Sequence, residues 1–71
     1  MRLRYDRHAD AAYIQLAEHI GLGGVDHTYL CDPQEVGGMI NLDFDAEGRL
    51  VGVEVLDASL YLPVELLSGT S

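Results

Sequence analysis

The stretch "DFDAEGRLVGVE", residues 43 to 54, admits two incompatible readings, and choosing between them decides the fold. Counted from Asp43, Asp45 falls at position three, Glu47 at five, Gly48 at six and Glu54 at twelve, which is the ligand order of a calcium-binding loop set between two helices. The flanks argue for something else. Ile40, Leu42 and Phe44 alternate with Asn41, Asp43 and Asp45, and Val51, Val53 and Val55 alternate with Gly52 and Glu54, which is the period of β-strands. Gly37 and Gly38 on the entering side and β-branched valines on the leaving side suit no helix. On a hairpin, Asp43 and Glu54 lie on opposite arms and cannot wrap one ion. We read a hairpin that reverses around Glu47 and Gly48, through either a two-residue turn or a four-residue loop from Ala46 to Arg49. Phe44 then faces Val51, Leu42 faces Val53 and Ile40 faces Val55. Gly48 is its structural turn residue, next to Glu47.

The same period extends outward. Leu3 and Tyr5 alternate with Arg2, Arg4 and Asp6, and in "AAYIQLA" (11 to 17) Ala12, Ile14 and Leu16 alternate with Ala11, Tyr13 and Gln15. These segments predict two strands joined by the turn-rich "DRHAD". "VDHTYLC" (25 to 31) predicts a third strand, and "DPQEVGG" (32 to 38) a break. After the hairpin the period changes: Leu60, Val64 and Leu67 fall at i, i+4 and i+7, with Pro63 suited to a first helical turn and Gly69 to its end. A separate turn at Asp57 to Leu60 can precede that helix. The expected architecture is a single α+β domain over residues 1–71, a small antiparallel β-meander of about five strands with one short C-terminal helix packed on one face.

One helix covers one face. Leu50 and Leu56 have the opposite parity from Val51 to Val55, and Leu30 and Tyr13 are apolar on the alternate side of their strands, so these four are the expected oligomer interface. A chain of 71 residues and 7.8 kDa has little core of its own, and a symmetric dimer is the commonest remedy. The formal charge is −8. Arg2, Arg4 and Arg7 against Asp6 make the first seven residues +2, so residues 8 to 71 carry −10 with Arg49 as their one strong base. With no lysine, the chain has few groups to displace counterions from phosphates, which argues against nucleic acid; the expected partner is a basic protein. No apolar stretch approaches the roughly 20 residues of a membrane span, and "MRLRYDRHAD" is not a secretory signal. With Cys31 the single cysteine, a cytoplasmic, non-membrane protein is expected.

Signs of chemistry are sparse. Ser59, Ser68 and Ser71 sit in no nucleophile elbow, and His27 and Cys31, four residues apart on a strand, would lie some 13 Å apart at ~3.3 Å per residue. Cys31 reads as a small buried side chain, and Glu54 and Asp57 as surface and capping residues. No catalytic residue, cofactor or metal ligand is assigned. The alternative to an interaction module is a divalent-metal-binding protein using the acidic 43–54 stretch or His8, His19 and His27.

"RYDRHADAAYIQLA" followed by "INLDFDAEGRLVGVEVLDAS" resembles a family of very small bacterial and archaeal proteins catalogued as domain of unknown function 2283. The resemblance rests on Tyr5-Asp6, Ala9-Asp10, Tyr13-Ile14, Asp45, Gly48, Gly52, Glu54, Leu56 and Asp57-Ala58-Ser59, with a looser match from Glu18 to Gly38. It implies strands followed by a short helix and no established activity or cofactor. It also implies an antitoxin-like context, beside small, basic, ribonuclease-like toxin candidates.

Overall fold

Around the 43–54 stretch the chain forms two strands and a tight turn. In the computed structural model, which describes residues 1–69, Ile40–Phe44 and Leu50–Leu56 are antiparallel neighbours in a five-stranded sheet. We number the strands β1 (Arg2–Asp6), β2 (Ala11–Gln15), β3 (His27–Leu30), β4 (Ile40–Phe44) and β5 (Leu50–Leu56). The α+β class and five antiparallel strands agree with the sequence reading. The order does not follow a simple meander: it runs β1-β2-β5-β4-β3, so β2 pairs with β5 at the centre and β3 is placed at an edge. Burial accounts for this. Ala12 and Val55, opposite one another on β2 and β5, are 1% and 3% exposed and form the middle of the core.

Two of the three expected hairpin pairs are present, Ile40 with Val55 and Leu42 with Val53. The third is not. Phe44 lies opposite Leu50 rather than Val51, because a bulge separates that end of the ladder from the rest. The loop responsible has three residues, Ala46 to Gly48. Asp45 N donates to Arg49 O at 2.9 Å, Gly48 N donates to Asp45 O at 3.0 Å, and Gly48 takes φ +82. A type I turn followed by a left-handed glycine brings its own one-residue offset, and the bulge absorbs it.

Among the described residues, three single-turn helices accompany the sheet: α1 (Pro33–Val36), α2 (Ala58–Tyr61) and α3 (Val64–Ser68). Where the sequence suggested only a break, Asp32 caps α1 by accepting from Gln34 N at 3.0 Å, and Pro33 supplies a preset first turn. The expected C-terminal helix is α3, with Gly69 at its end and Pro63 at its cap rather than within its first turn, and the separate turn expected at Asp57 to Leu60 is the short helix α2. Ala58 and Leu67 from these helices close over Ala12 and Val55, with Leu3, Tyr5, Ile40, Val53 and Leu62 packed around them. Among the described residues, no helix is long and apolar enough to cross a membrane.

Candidate functional site

The helices α2 and α3 pack on one face of the sheet, and the opposite face is where the oligomer interface is expected. Register assigns that face to Arg4, Tyr13, Glu54, Asn41 and Leu30 in one transverse row, with Gln15, Gly52, Asp43 and Thr28 in the next. It is polar rather than apolar. The Tyr13 hydroxyl donates to Asp43 Oδ2 at 2.7 Å, and Thr28 Oγ1 donates to Asp43 Oδ1 at 2.6 Å. Asn41 Nδ2 donates to Glu54 Oε1 at 2.8 Å, and an Arg4 guanidinium nitrogen to Gln15 Oε1 at 3.1 Å. These cross-strand bonds tie all five strands from this side.

Gly52 makes the network possible. A Cβ at that position would lie 1.8 Å from the Tyr13 hydroxyl oxygen, so the bare glycine is the slot through which the ring reaches Asp43. Burial of the ring, the hydrogen bond to Asp43 and the negative charges of Asp43 and Glu54 push the Tyr13 phenol up to about 12. It therefore stays protonated as a donor throughout the neutral range and is poorly suited to serve as a proton-transfer base. Beside it, Arg4, Tyr5, Asp6, Ala11, Ala12, Tyr13 and Glu54 line a shallow open depression.

The expected interface residues separate. Tyr13, Leu30 and Leu56 do share the open face, but Tyr13 is engaged through its hydroxyl, and the face between them is filled with amides and carboxylates. Leu50 lies on the other side. The bulge sets it opposite Phe44 and so on the helix-covered face with Ile40 and Leu42, since a one-residue slip turns a strand residue over. Leu30 and Leu56 are thus aliphatic side chains of the open face, and the correction concerns Leu50 alone.

The acidic residues of 43–54 are engaged by neighbouring side chains and backbone rather than gathered around one point. Asp45 accepts from Glu47 N, Arg49 N and Arg49 Nε at 3.0, 2.8 and 3.0 Å, which holds its carboxyl below the usual range. Asp43 and Glu54 are engaged on the open face as described. Among the described residues, no three of His, Cys, Asp and Glu stand close enough together to share a metal ion. Cys31 is half-buried at the end of β3, and His27 stacks on Phe44 with centroids 5.2 Å apart. Ser71 lies outside the described residues.

A second cluster went unrecognised in the sequence. Asp10, at φ +51, accepts from the Tyr5 hydroxyl (2.6 Å) and from Ser59 N (3.0 Å) on Oδ1, and from Ser59 Oγ (2.6 Å) on Oδ2. Ala58 N donates to its backbone oxygen at 2.8 Å. Asp57, whose side chain makes no cap bond, stands before α2 at φ +52, so Asp10, brought alongside by the pairing of Ala11 with Leu56, caps that helix. The Ser59 and Tyr5 bonds hold the Asp10 carboxyl below its ordinary value. Gln15, 8% exposed, likewise fixes the loop after β2 by donating to Ala17 O and Glu18 O. The clues to the tie were the aspartate of "HAD" and the serine of "DAS", which spacing alone could not join across 49 residues.

The residues that carry the family resemblance are thus those that hold the fold: Asp6 accepts from His8 N and Ala9 N in the first turn, and Tyr5, Asp10 and Ser59 form the tie. Tyr13 with Gly52, Asp45 with Gly48, and Glu54 with Asn41 set the sheet. A family model described as "Protein of unknown function (DUF2283)" matches residues 2–59. Neither the curated proteins nor the solved structures gave a match.

Proposed function

Because the chain belongs to this family of unknown function, DUF2283, its role has to be read from its surfaces, and we propose that it is a non-catalytic homodimer that works by binding a basic partner protein. The observation that carries this reading is an uncovered apolar area on the helix side of the sheet. Among the described residues no large side chain is fully buried, and Leu16, Tyr29 and Leu50 are between 39% and 58% exposed around the half-covered Ile14, Leu42, Phe44 and Val53. The accessible surface is 5022 Å², whereas a compact folded chain of this mass exposes about 4,400 Å². The excess, roughly 600 Å², is spread over the whole surface and marks a chain whose thin core leaves apolar side chains for a partner to cover. A second copy seated on this half-face would cover it without touching the polar network opposite. The antitoxin-like version follows from the charge: an acidic module would cover the positive cleft of a ribonuclease-like partner, with salt acting mainly on the association rate.

Sedimentation equilibrium at tens of micromolar tests the dimer, and Leu42→Asp or Phe44→Asp should render it monomeric. A wild-type monomer would remove the dimer from the proposal. Co-purification from the native host at endogenous level tests the partner, with a stoichiometric basic protein as the expected outcome and its absence as the contrary one.

A further inference from the structure

The two edges of the sheet differ in sign. At one edge, β1 presents Arg2 and Arg4, with Arg7 close behind, which are three of the four strong bases in the chain. At the other edge all four residues of β3 are exposed. Asp26 immediately precedes that strand, Asp32 and Glu35 follow it, and Asp43 lies beside Thr28 on β4. We infer that the β3 edge is a strand-addition site for an extended, basic segment of a partner protein. The inference rests on the interaction-module reading above and adds to it the place and the mode of docking.

Backbone geometry supplies the first part of the argument. Cys31 N donates to Ile40 O at 2.9 Å, and in an antiparallel ladder hydrogen-bonded pairs alternate with non-bonded ones. Cys31 and Tyr29 therefore turn their peptide groups toward β4, while Leu30 and Thr28 turn theirs outward, where an added strand would meet them. Such main-chain bonds supply affinity in strand addition, and side chains of alternating parity supply choice. On the helix side the added strand meets Tyr29, 58% exposed; on the open face it meets Leu30, 65% exposed, and Thr28 held on Asp43. Carboxylates at both ends of the strand, and Asp43 beside its middle, select a segment that alternates basic and apolar residues. The arginines of β1 repel the same segment from the opposite edge, so charge decides between two edges that are otherwise alike in hydrogen-bonding capacity.

The probe is an end-blocked seven-residue peptide of alternating lysine and valine, with alternating glutamate and valine as its control, each titrated into the full chain and followed by amide NMR. We expect the lysine peptide alone to slow exchange of the Thr28 and Leu30 amides and to shift β3 and β4. Leu30→Pro removes an outward donor without a bond to β4, and should abolish binding while leaving the β4 and β5 spectra in place. Asp26→Lys, at an exposed position, should weaken binding several-fold and flatten its salt dependence. Shifts confined to Arg2–Asp6, equal binding of both peptides, or no binding would overturn the assignment. So would a concentration-dependent ladder of oligomers lost in Leu30→Pro, since the occupant would then be β1 of a second copy. A co-purified partner that bound Leu30→Pro as tightly as wild type would leave the interaction module standing and remove only this edge.

Discussion

The two hairpins of the sheet close in opposite ways. The β4–β5 turn is self-sufficient: Asp45, Gly48 and Arg49 satisfy one another within five residues, and nothing outside the turn is needed to shape it. The β1–β2 turn is not. Its last residue, Asp10, is a non-glycine in the left-handed region, and what holds it there is Ser59 and Ala58 from the other end of the chain together with Tyr5. One hairpin closes on itself; the other, although Asp6 accepts from His8 N and Ala9 N within its turn, needs the rest of the fold to hold its last residue.

Breaking the borrowed turn should have the largest effect. Asp10→Ala leaves Ser59 N, Ser59 Oγ and the Tyr5 hydroxyl without their acceptor and puts alanine at positive φ; the melting temperature is expected to fall by roughly 10 °C. Ser59→Ala made on top of Asp10→Ala should add almost nothing, because the two act through one tie. Full additivity of the pair, measured by thermal melts, would show the tie to be incidental. The local turn should respond less. Gly48→Val sets a β-branched residue at φ +82 and should cost about 1–2 kcal/mol, while Glu47→Ala, an exposed neighbour, should be close to neutral by urea titration. Equal effects would mean that Gly48 is not what closes the loop.

Between the hairpins, Tyr13 on β2 reaches across Gly52 on β5 to Asp43 on β4. Tyr13→Phe removes one hydroxyl donor and should cost about 1 kcal/mol at neutral pH. The pH dependence has a definite sign. With its folded value raised to about 12 above the ordinary 10.0, the phenol contributes stability that is fully present below pH 10 and is lost as pH rises toward 12. Alkaline unfolding should therefore flatten in Tyr13→Phe. The smallest effect, none, is expected for millimolar calcium on the melting temperature, since a ligand shifts it only by binding the folded state. A rise abolished by Asp45→Ala would restore a metal site to the 43–54 turn.

This contrast also explains what could be read from residues alone. The β4–β5 hairpin was legible because period-two alternation and a turn glycine are local signals. The bulge was not, since Leu50 and Val51 are both apolar and either can stand opposite Phe44. The central pairing of β2 with β5 is set by the burial of Ala12 against Val55, and nothing near residue 12 announces residue 55. Counting Tyr13 as apolar hid the polar face, because the ring is half-buried while its hydroxyl joins a network of carboxylates and amides. The sign of the two edges, by contrast, is present in the charges of the first seven residues and in the acids around residue 30, and needed only the strand order to acquire a meaning.

The strand order also governs when the molecule can form. As the chain leaves the ribosome, β1 and β2 are made first, yet the central neighbour of β2 is the last strand to be synthesised, and the cap on the first turn comes at residue 59. Translation adds about 5–20 residues per second, so the first hairpin waits for seconds with its inner edge unpaired. Non-local closure of this kind is slow to nucleate once the chain is complete.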